Sequence, residues 1–208
     1  MSAPLIIASH GSREPAHAAT VSAIAARVRE LAPDLDVRIG YLGHSLPRLT
    51  AAARDGGVVV PLLLTRGYHV TTDIPRQAPG CVVTEPLGPD RRLAALLARR
   101  LRETAWAGGA VALAAAGSRH DDAIDDVRTV GGWLAEELDA PVQVGFVASG
   151  EPRLGPSETV ASYLLADGHF AHAVRKHGRI VTAPLGADPA LAEIVLDRYA
   201  AARATLAA

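Results

Sequence analysis

Cysteine is almost absent. The chain holds one, Cys81, so no internal disulfide can form and no cysteine cluster can hold structural zinc. Cys81 lies in the run Gly80-Cys81-Val82-Val83 and reads as a buried strand residue. Aromatic residues make up 4% of the chain, which argues against stacking platforms for single-stranded nucleic acid. The formal net charge is -1, which leaves no basic footprint for nucleic acid or an anionic membrane. No apolar run approaches the length of a membrane span, and MSAPLIIASH lacks the basic segment that opens a signal peptide. Neither G-x-x-x-x-G-K-[ST] nor G-x-G-x-x-G after a strand occurs, so no phosphate cradle is supported. The G-x-S-x-G elbow is missing too. These absences point to a cytoplasmic protein that binds neither nucleic acid nor membrane.

What is present is material for a core. Of 208 residues 49% are apolar and 21% charged, enough for one large domain or two small ones. The stretch from Val58 to Pro75, VVVPLLLTRGYHVTTDIP, organises the rest. Its opening run through Leu64 lacks alternation, as in a strand buried on both faces of a parallel sheet. Pro61 would interrupt a central ladder, so the strand is expected to bulge there or to begin after it. Gly67 permits a turn, and Thr71-Thr72-Asp73 can cap a new helix. His69 therefore falls just past the carboxyl end of a buried strand, where open α/β sheets place their ligands.

Taken in order, Leu5 to Ala8 reads as the first strand, and it runs into Ser9-His10-Gly11-Ser12-Arg13. Pro15 opens a helix whose apolar residues Val21, Ile24, Ala25, Val28 and Leu31 recur at helical spacing. Val37 to Leu42 is the second strand, and Gly43 to Pro47 a loop leading to a helix near Pro47–Arg54. Cys81 to Thr84 is the fourth strand, before a helix from about Arg91 to Ala105. Four β-then-α units in a row predict a parallel sheet wrapped by helices.

The pattern then restarts. Ala110 to Ala114 is a new first strand, and Gly117-Ser118-Arg119 echoes Gly11-Ser12-Arg13. Val142 to Val147 repeats Val37 to Leu42, and Pro152-Arg153-Leu154 repeats Pro47-Arg48-Leu49. Val160 to Leu165 parallels the third strand, and Val181 to Asp188 matches Val83 to Asp90. Four matches in order mean an internal duplication. With the join near Trp106-Ala107-Gly108-Gly109, the expected domains are 1–106 and 107–208. Each would be a flavodoxin-like α/β half with strand order 2-1-3-4.

The duplication is an internal control. Residues shared by both halves serve the fold by default, and residues unique to one half are candidates for function. His10 aligns with Ala116, and His69 with Phe170. Strands one and three are neighbours about 4.8 Å apart, so His10 and His69 are expected to face one crevice. Two neutral imidazoles there would suit a borderline cation such as cobalt, iron, nickel or zinc, although a strand-end histidine taken alone is usually structural. His44, after the second strand, is a third candidate ligand. Asp73 reads as a helix cap, Ser9 and Ser12 as caps of the first helix, and His17 as a surface residue. Arg13 and Arg66 could meet substrate carboxylates. His120, His169, His172 and His177 make the second half histidine-rich; a solvated helix start accounts for His169 and His172.

S-H-G-S-R after the first strand and P-L-L-L-x-x-G-Y-H-V-x-x-D-I-P after the third resemble the class II chelatases, and within them the sirohydrochlorin chelatases. The resemblance covers nearly the whole chain. It implies two similar halves facing each other across a cleft that binds a tetrapyrrole. The first half would carry the metal site and the second would close the cleft. His10 and His69 match the paired metal-binding histidines and would be catalytic, with His10 chosen to accept a pyrrole proton and His69 mainly a ligand. The implied reaction is insertion of Co²⁺ or Fe²⁺ into sirohydrochlorin, in cobalamin or sirohaem biosynthesis, by an ATP-independent lyase. No cofactor is implied beyond the metal substrate, Co²⁺, Fe²⁺ or Ni²⁺. Gly43-His44 stands where relatives often carry an acidic residue, which makes His44 a possible substitute. The rival readings are a metal or tetrapyrrole carrier without turnover, and structural histidines beside a site for an unrelated anion. Oligomeric state is not readable from the sequence.

Overall fold

In the computed structural model, which describes residues 3–207, the apolar runs become two parallel sheets. The first contains β1 (Leu5–Ser9), β2 (Val37–Tyr41), β3 (Val58–Pro61) and β4 (Val82–Val83), in the order β2-β1-β3-β4. The second contains β5 (Val111–Gly117), β6 (Val142–Ser149), β7 (Ser157–Tyr163) and β8 (Gly178–Val181), in the order β6-β5-β7-β8. Both orders are the flavodoxin-like one expected from the sequence, and every strand pair is parallel.

Helices α1 (Pro15–Leu31), α2 (Leu49–Ala52), α3 (Ile74–Gln77) and α4 (Arg91–Arg102) follow the first four strands. Helices α5 (Asp121–Leu138), α6 (His169–Val174) and α7 (Pro189–Ala207) belong to the repeat. Helix α1 buries Val21, Ile24, Ala25 and Val28, and Asp90 caps α4 by accepting a hydrogen bond from the Arg92 amide at 3.0 Å. Among the described residues no helix is long and apolar enough to cross a membrane.

The chain forms two compact units, and they are not the linear halves 1–106 and 107–208. One unit comprises residues 1–88 with 187–208, the other residues 89–186. Helix α4, which follows β4 in the chain, packs on α5 and β7; helix α7, at the end of the repeat, packs on α1 and β3. Each unit thus takes its last helix from the other half of the sequence. In the first unit Ile6, Ala8 and Val59 point to the face covered by α2 and α3. The alternate residues Leu5, Ile7, Val58 and Val60 are fully buried as well, as strands covered on both faces require.

Four local expectations are corrected. The third strand ends at Pro61 instead of running to Leu64, with no break at the proline. Val58 and Leu62 donate to Pro4 and Ala8 on the β1 side. Backbone donors alternate in direction along a strand, so position 61 faces the β4 side, beyond the two-residue β4 ladder. Its missing N–H costs no ladder bond. Cys81 is only partly buried, lies before β4, and has its thiol 3.1 Å from the Arg54 carbonyl. Helix α2 is limited to Leu49–Ala52, and α4 stops at Arg102.

The shared motifs have structural roles in both halves. Leu49 sits over Gly40 and Leu154 over Gly145, so closely that a Cβ on either glycine would lie 2.8 Å from the leucine Cα. Arg48 bridges to Tyr41 at the end of β2, and Arg153 bridges to Phe146 within β6. Gly11 and Gly117 have φ of 84° and 97°. A Cβ there would fall within 1.9 and 1.7 Å of the carbonyl oxygens of Gly43 and Ser149. Ser12 and Ser118 each accept from the amide two residues on.

Candidate active site

The site lies at the carboxyl ends of β1, β2 and β3. Leaving the buried Ser9, the chain exposes His10 and turns at Gly11. The ring of His10 stands 4.7 Å from that of His69, centroid to centroid and edge to face, and 5.9 Å from that of His44. The two histidines singled out at neighbouring strand ends are therefore brought together, and His44 lies beside them. Among the described residues no set of three or more His, Cys, Asp or Glu side chains is gathered as a metal shell. The cluster is a pair with an outlying third ring.

Hydrogen bonds select the tautomers. His10 Nδ1 lies 2.9 Å from the Gly11 carbonyl oxygen, which can only accept, so Nδ1 carries the proton. His69 Nδ1 lies 2.7 Å from Asp73 Oδ2, and the carboxylate likewise accepts. In both neutral rings the Nε2 lone pair is the one left for a metal ion or an incoming proton.

His69 begins a π-helical turn, His69–Asp73, that runs into α3. The expected helix cap at Asp73 is corrected here. Asp73 has helical φ and ψ, makes no capping bond, and turns its carboxylate back to His69. Its other oxygen accepts from Arg76 at 3.1 Å. A Thr-Thr-Asp sequence fits a cap as well as an i,i+4 partner, so local reading could not separate the two.

His44 is exposed with φ 58°, in the left-handed region that side chains other than glycine seldom adopt. Ser45 fixes this loop to the one after β1: its hydroxyl accepts from the Ser12 amide at 3.1 Å and donates to the Ser12 carbonyl at 3.0 Å. Ser45 carried no sequence signal. Ser9 is not a helix cap; it ends β1 with its Oγ 2.9 Å from His17 Nε2. His17 is accordingly half-buried rather than a surface residue. Burial pushes its pKa down, and the neighbouring His10 adds to that whenever it is protonated. Arg13 and Arg66 are exposed on the same loops. In the second unit His169 and His172 are exposed on α6, as expected of a solvated helix start.

Comparison with known proteins gives three kinds of likeness. The family model described as CbiX matches residues 4–104. The chain is similar to the sirohydrochlorin cobaltochelatase of Methanosarcina barkeri, at 31% identity over an alignment of 122 residues; the match covers 48% of this chain and 94% of that one. It is similar to the enzyme of the same name from Methanococcoides burtonii, at 33% identity over 78 residues; that match takes in 34% of this chain and 60% of the relative. Among solved structures, SirB from Bacillus subtilis with Fe³⁺ has the same fold, with a TM-score of 0.76, 19% identity, and coverage of 95% of this chain and 94% of that one.

Proposed function

Since the chain belongs to the CbiX family of sirohydrochlorin chelatases, we propose that it inserts a divalent metal, Co²⁺ or Fe²⁺, into sirohydrochlorin. The observation that carries this reading is the pair of imidazoles 4.7 Å apart at adjacent strand ends, both with Nε2 unprotonated. A dication replaces two pyrrole N–H protons, so insertion is a metal-for-proton exchange with no redox step and no nucleotide. His69, fixed through Nδ1, holds the ion. His10 shares it and, once the ion has passed to the macrocycle and freed the Nε2 lone pair, takes up one of the two departing protons there, the other going to solvent. His44 is the third ligand we assign. Arg13 and Arg66 meet carboxylates of the macrocycle. A cytoplasmic location fits this reading.

An open pair of ligands favours an enzyme over a carrier. Structural metal sites close the coordination shell around their ion, whereas catalytic ones leave a position vacant for water or substrate. Two histidines with a third at its edge leave positions for the macrocycle nitrogens. The test is an absorbance time course with sirohydrochlorin and Co²⁺, Fe²⁺ or Ni²⁺ against protein-free controls. The wild type should accelerate insertion, and a folded His10→Ala/His69→Ala double variant should fall to the uncatalysed rate. Turnover retained in that variant would refute the assignment. Binding of tetrapyrrole without acceleration by the wild type would leave the carrier.

A further inference from the structure

The two imidazoles of the pair are held by different devices. His10 is held by the carbonyl of its own neighbour, Gly11. His69 is held from the far end of a helical turn, by a carboxylate that is itself held. Asp73 is 14% exposed at its side chain, while His69 is 42% exposed. One oxygen of Asp73 accepts a hydrogen bond from His69 Nδ1–H at 2.7 Å, and the other accepts from Arg76 at 3.1 Å. With both oxygens engaged in this way, the carboxylate is anchored against swinging out to become a ligand itself. The turn between the two residues is π-helical, closed by the Ile74 amide donating to the His69 carbonyl. Such turns are rare overall and frequent at functional sites.

The duplicated half provides the control. Val59 pairs opposite Ile6 on β1, and Val160 opposite Ala112 on β5, which sets these two strands in the same register. Carried forward residue by residue, His69 corresponds to Phe170 and Asp73 to Val174. Phe170 is exposed, and Val174 is fully buried. The π-helical turn is replaced by the plain α-helix α6, His169–Val174. A carboxylate is therefore not needed to start a helix at this place in the fold. The histidine and the aspartate are present together in one half and absent together from the other. That is the pattern of a pair with one task.

We propose that Asp73 is a positioning residue. It fixes His69 in the Nδ1-protonated tautomer and fixes the plane of the ring, so that Nε2 is the atom presented to the metal substrate. Arg76 steadies the carboxylate from the opposite side. This deepens the reading of His69 as a metal ligand and rests on it. Outer partners of this kind are commonly worth 10–100-fold in metal affinity.

The test uses the full chain with Co²⁺ alone, without tetrapyrrole. Asp73→Asn keeps the shape of the side chain and Asp73→Ala removes it. Long-range ¹H–¹⁵N correlation spectra read the His69 tautomer, and the visible absorbance of bound Co²⁺ reads affinity. Asp73→Ala should shift His69 away from the Nδ1–H form and weaken Co²⁺ binding about 10–100-fold, with Asp73→Asn changing both in the same direction by less. Placed on His69→Ala, either substitution should cost nothing further. An unchanged tautomer with wild-type Co²⁺ affinity in both variants would overturn the proposal. An equal loss in the His69→Ala background would overturn it as well, because Asp73 would then act on the ion directly. Sirohydrochlorin turnover by the wild type is scored separately. If turnover is absent but the Asp73–His69 coupling is present, the chelatase reading falls and the positioning role stands. If turnover is present without the coupling, only the positioning role falls.

Discussion

His44 sits in a backbone conformation to which its residue type is poorly suited. Its φ of 58° is matched in the second unit by Gly150 at 96°, since Gly43 and Ser149 take equivalent places against Gly11 and Gly117. A left-handed conformation costs a non-glycine residue roughly 1–2 kcal/mol, and the repeat avoids that cost with glycine. Replacing His44 by Gly should therefore not destabilise the protein. Relief of the backbone, offset by about 0.4–1 kcal/mol from a looser unfolded chain, leaves it between unchanged and about 1 kcal/mol more stable in urea unfolding. His44→Ala keeps the conformational cost and should be the less stable of the two. Both should weaken Co²⁺ binding and slow insertion alike, because both lose the imidazole. Clear destabilisation by His44→Gly with wild-type affinity for Co²⁺ would make His44 a structural residue.

At the scale of elements, the strands were legible and their attachments were less so. Continuous apolar runs mark strands buried on both faces, and the succession of β-then-α units pointed to a flavodoxin-like half, whose strand order is 2-1-3-4. That puts His10 and His69 at neighbouring strand ends, and their rings stand 4.7 Å apart, centroid to centroid. The partners of those rings could not be read. The bond from His69 to Asp73 depends on a π-helical turn that Thr-Thr-Asp does not announce. His17 meets Ser9 only because α1 doubles back over β1. The loop junctions are a middle case: Gly-Ser-Arg occurred in both halves and so read as structural, and Gly11 shows the reason. Gly11→Ala would put a methyl group 1.9 Å from the Gly43 carbonyl at a φ of 84°, at a cost of about 2–4 kcal/mol. Gly117→Ala, at 1.7 Å from the Ser149 carbonyl, should cost a similar amount. Only the first should also disturb metal binding, since Gly43 leads directly to His44. Equal effects of the two substitutions on Co²⁺ affinity would contradict the assignment of the site to the first unit.

Over the whole molecule, the order of the chain and the order of the packing disagree, and no local pattern could have shown it. A helix following a strand is expected to cover its own sheet, and α4 has the buried stripe for that: Leu93, Leu96, Leu97 and Leu101. It covers α5 and β7 instead, with Arg91 on Glu136 at 2.8 Å and Arg102 on the Glu137 carbonyl at 2.6 Å. The first unit is completed by α7. There Leu191, Ile194, Val195 and Tyr199 are buried, the Tyr199 hydroxyl donates to the Ala3 carbonyl, and Arg198 donates to the Pro86 carbonyl. At about 1.5–3 kcal/mol for each large apolar side chain, four such residues are worth roughly 6–12 kcal/mol, which is comparable to the whole stability of a domain. Fragments cut at the apparent repeat boundary should therefore fail, while one cut at the packing boundary should succeed. Residues 89–186 carry β5 to β8 with α4 and should unfold cooperatively in urea. Residues 107–208, of nearly the same length, lack α4 and carry α7 with nothing to cover, so they should give no cooperative transition. Residues 1–106 should fail in the same way, and mixing 1–106 with 107–208 should restore a cooperative transition, because each supplies the helix the other lacks. If 107–208 alone proved as stable as 89–186, the duplication would be two self-sufficient halves, and the exchange of helices would have no energetic weight.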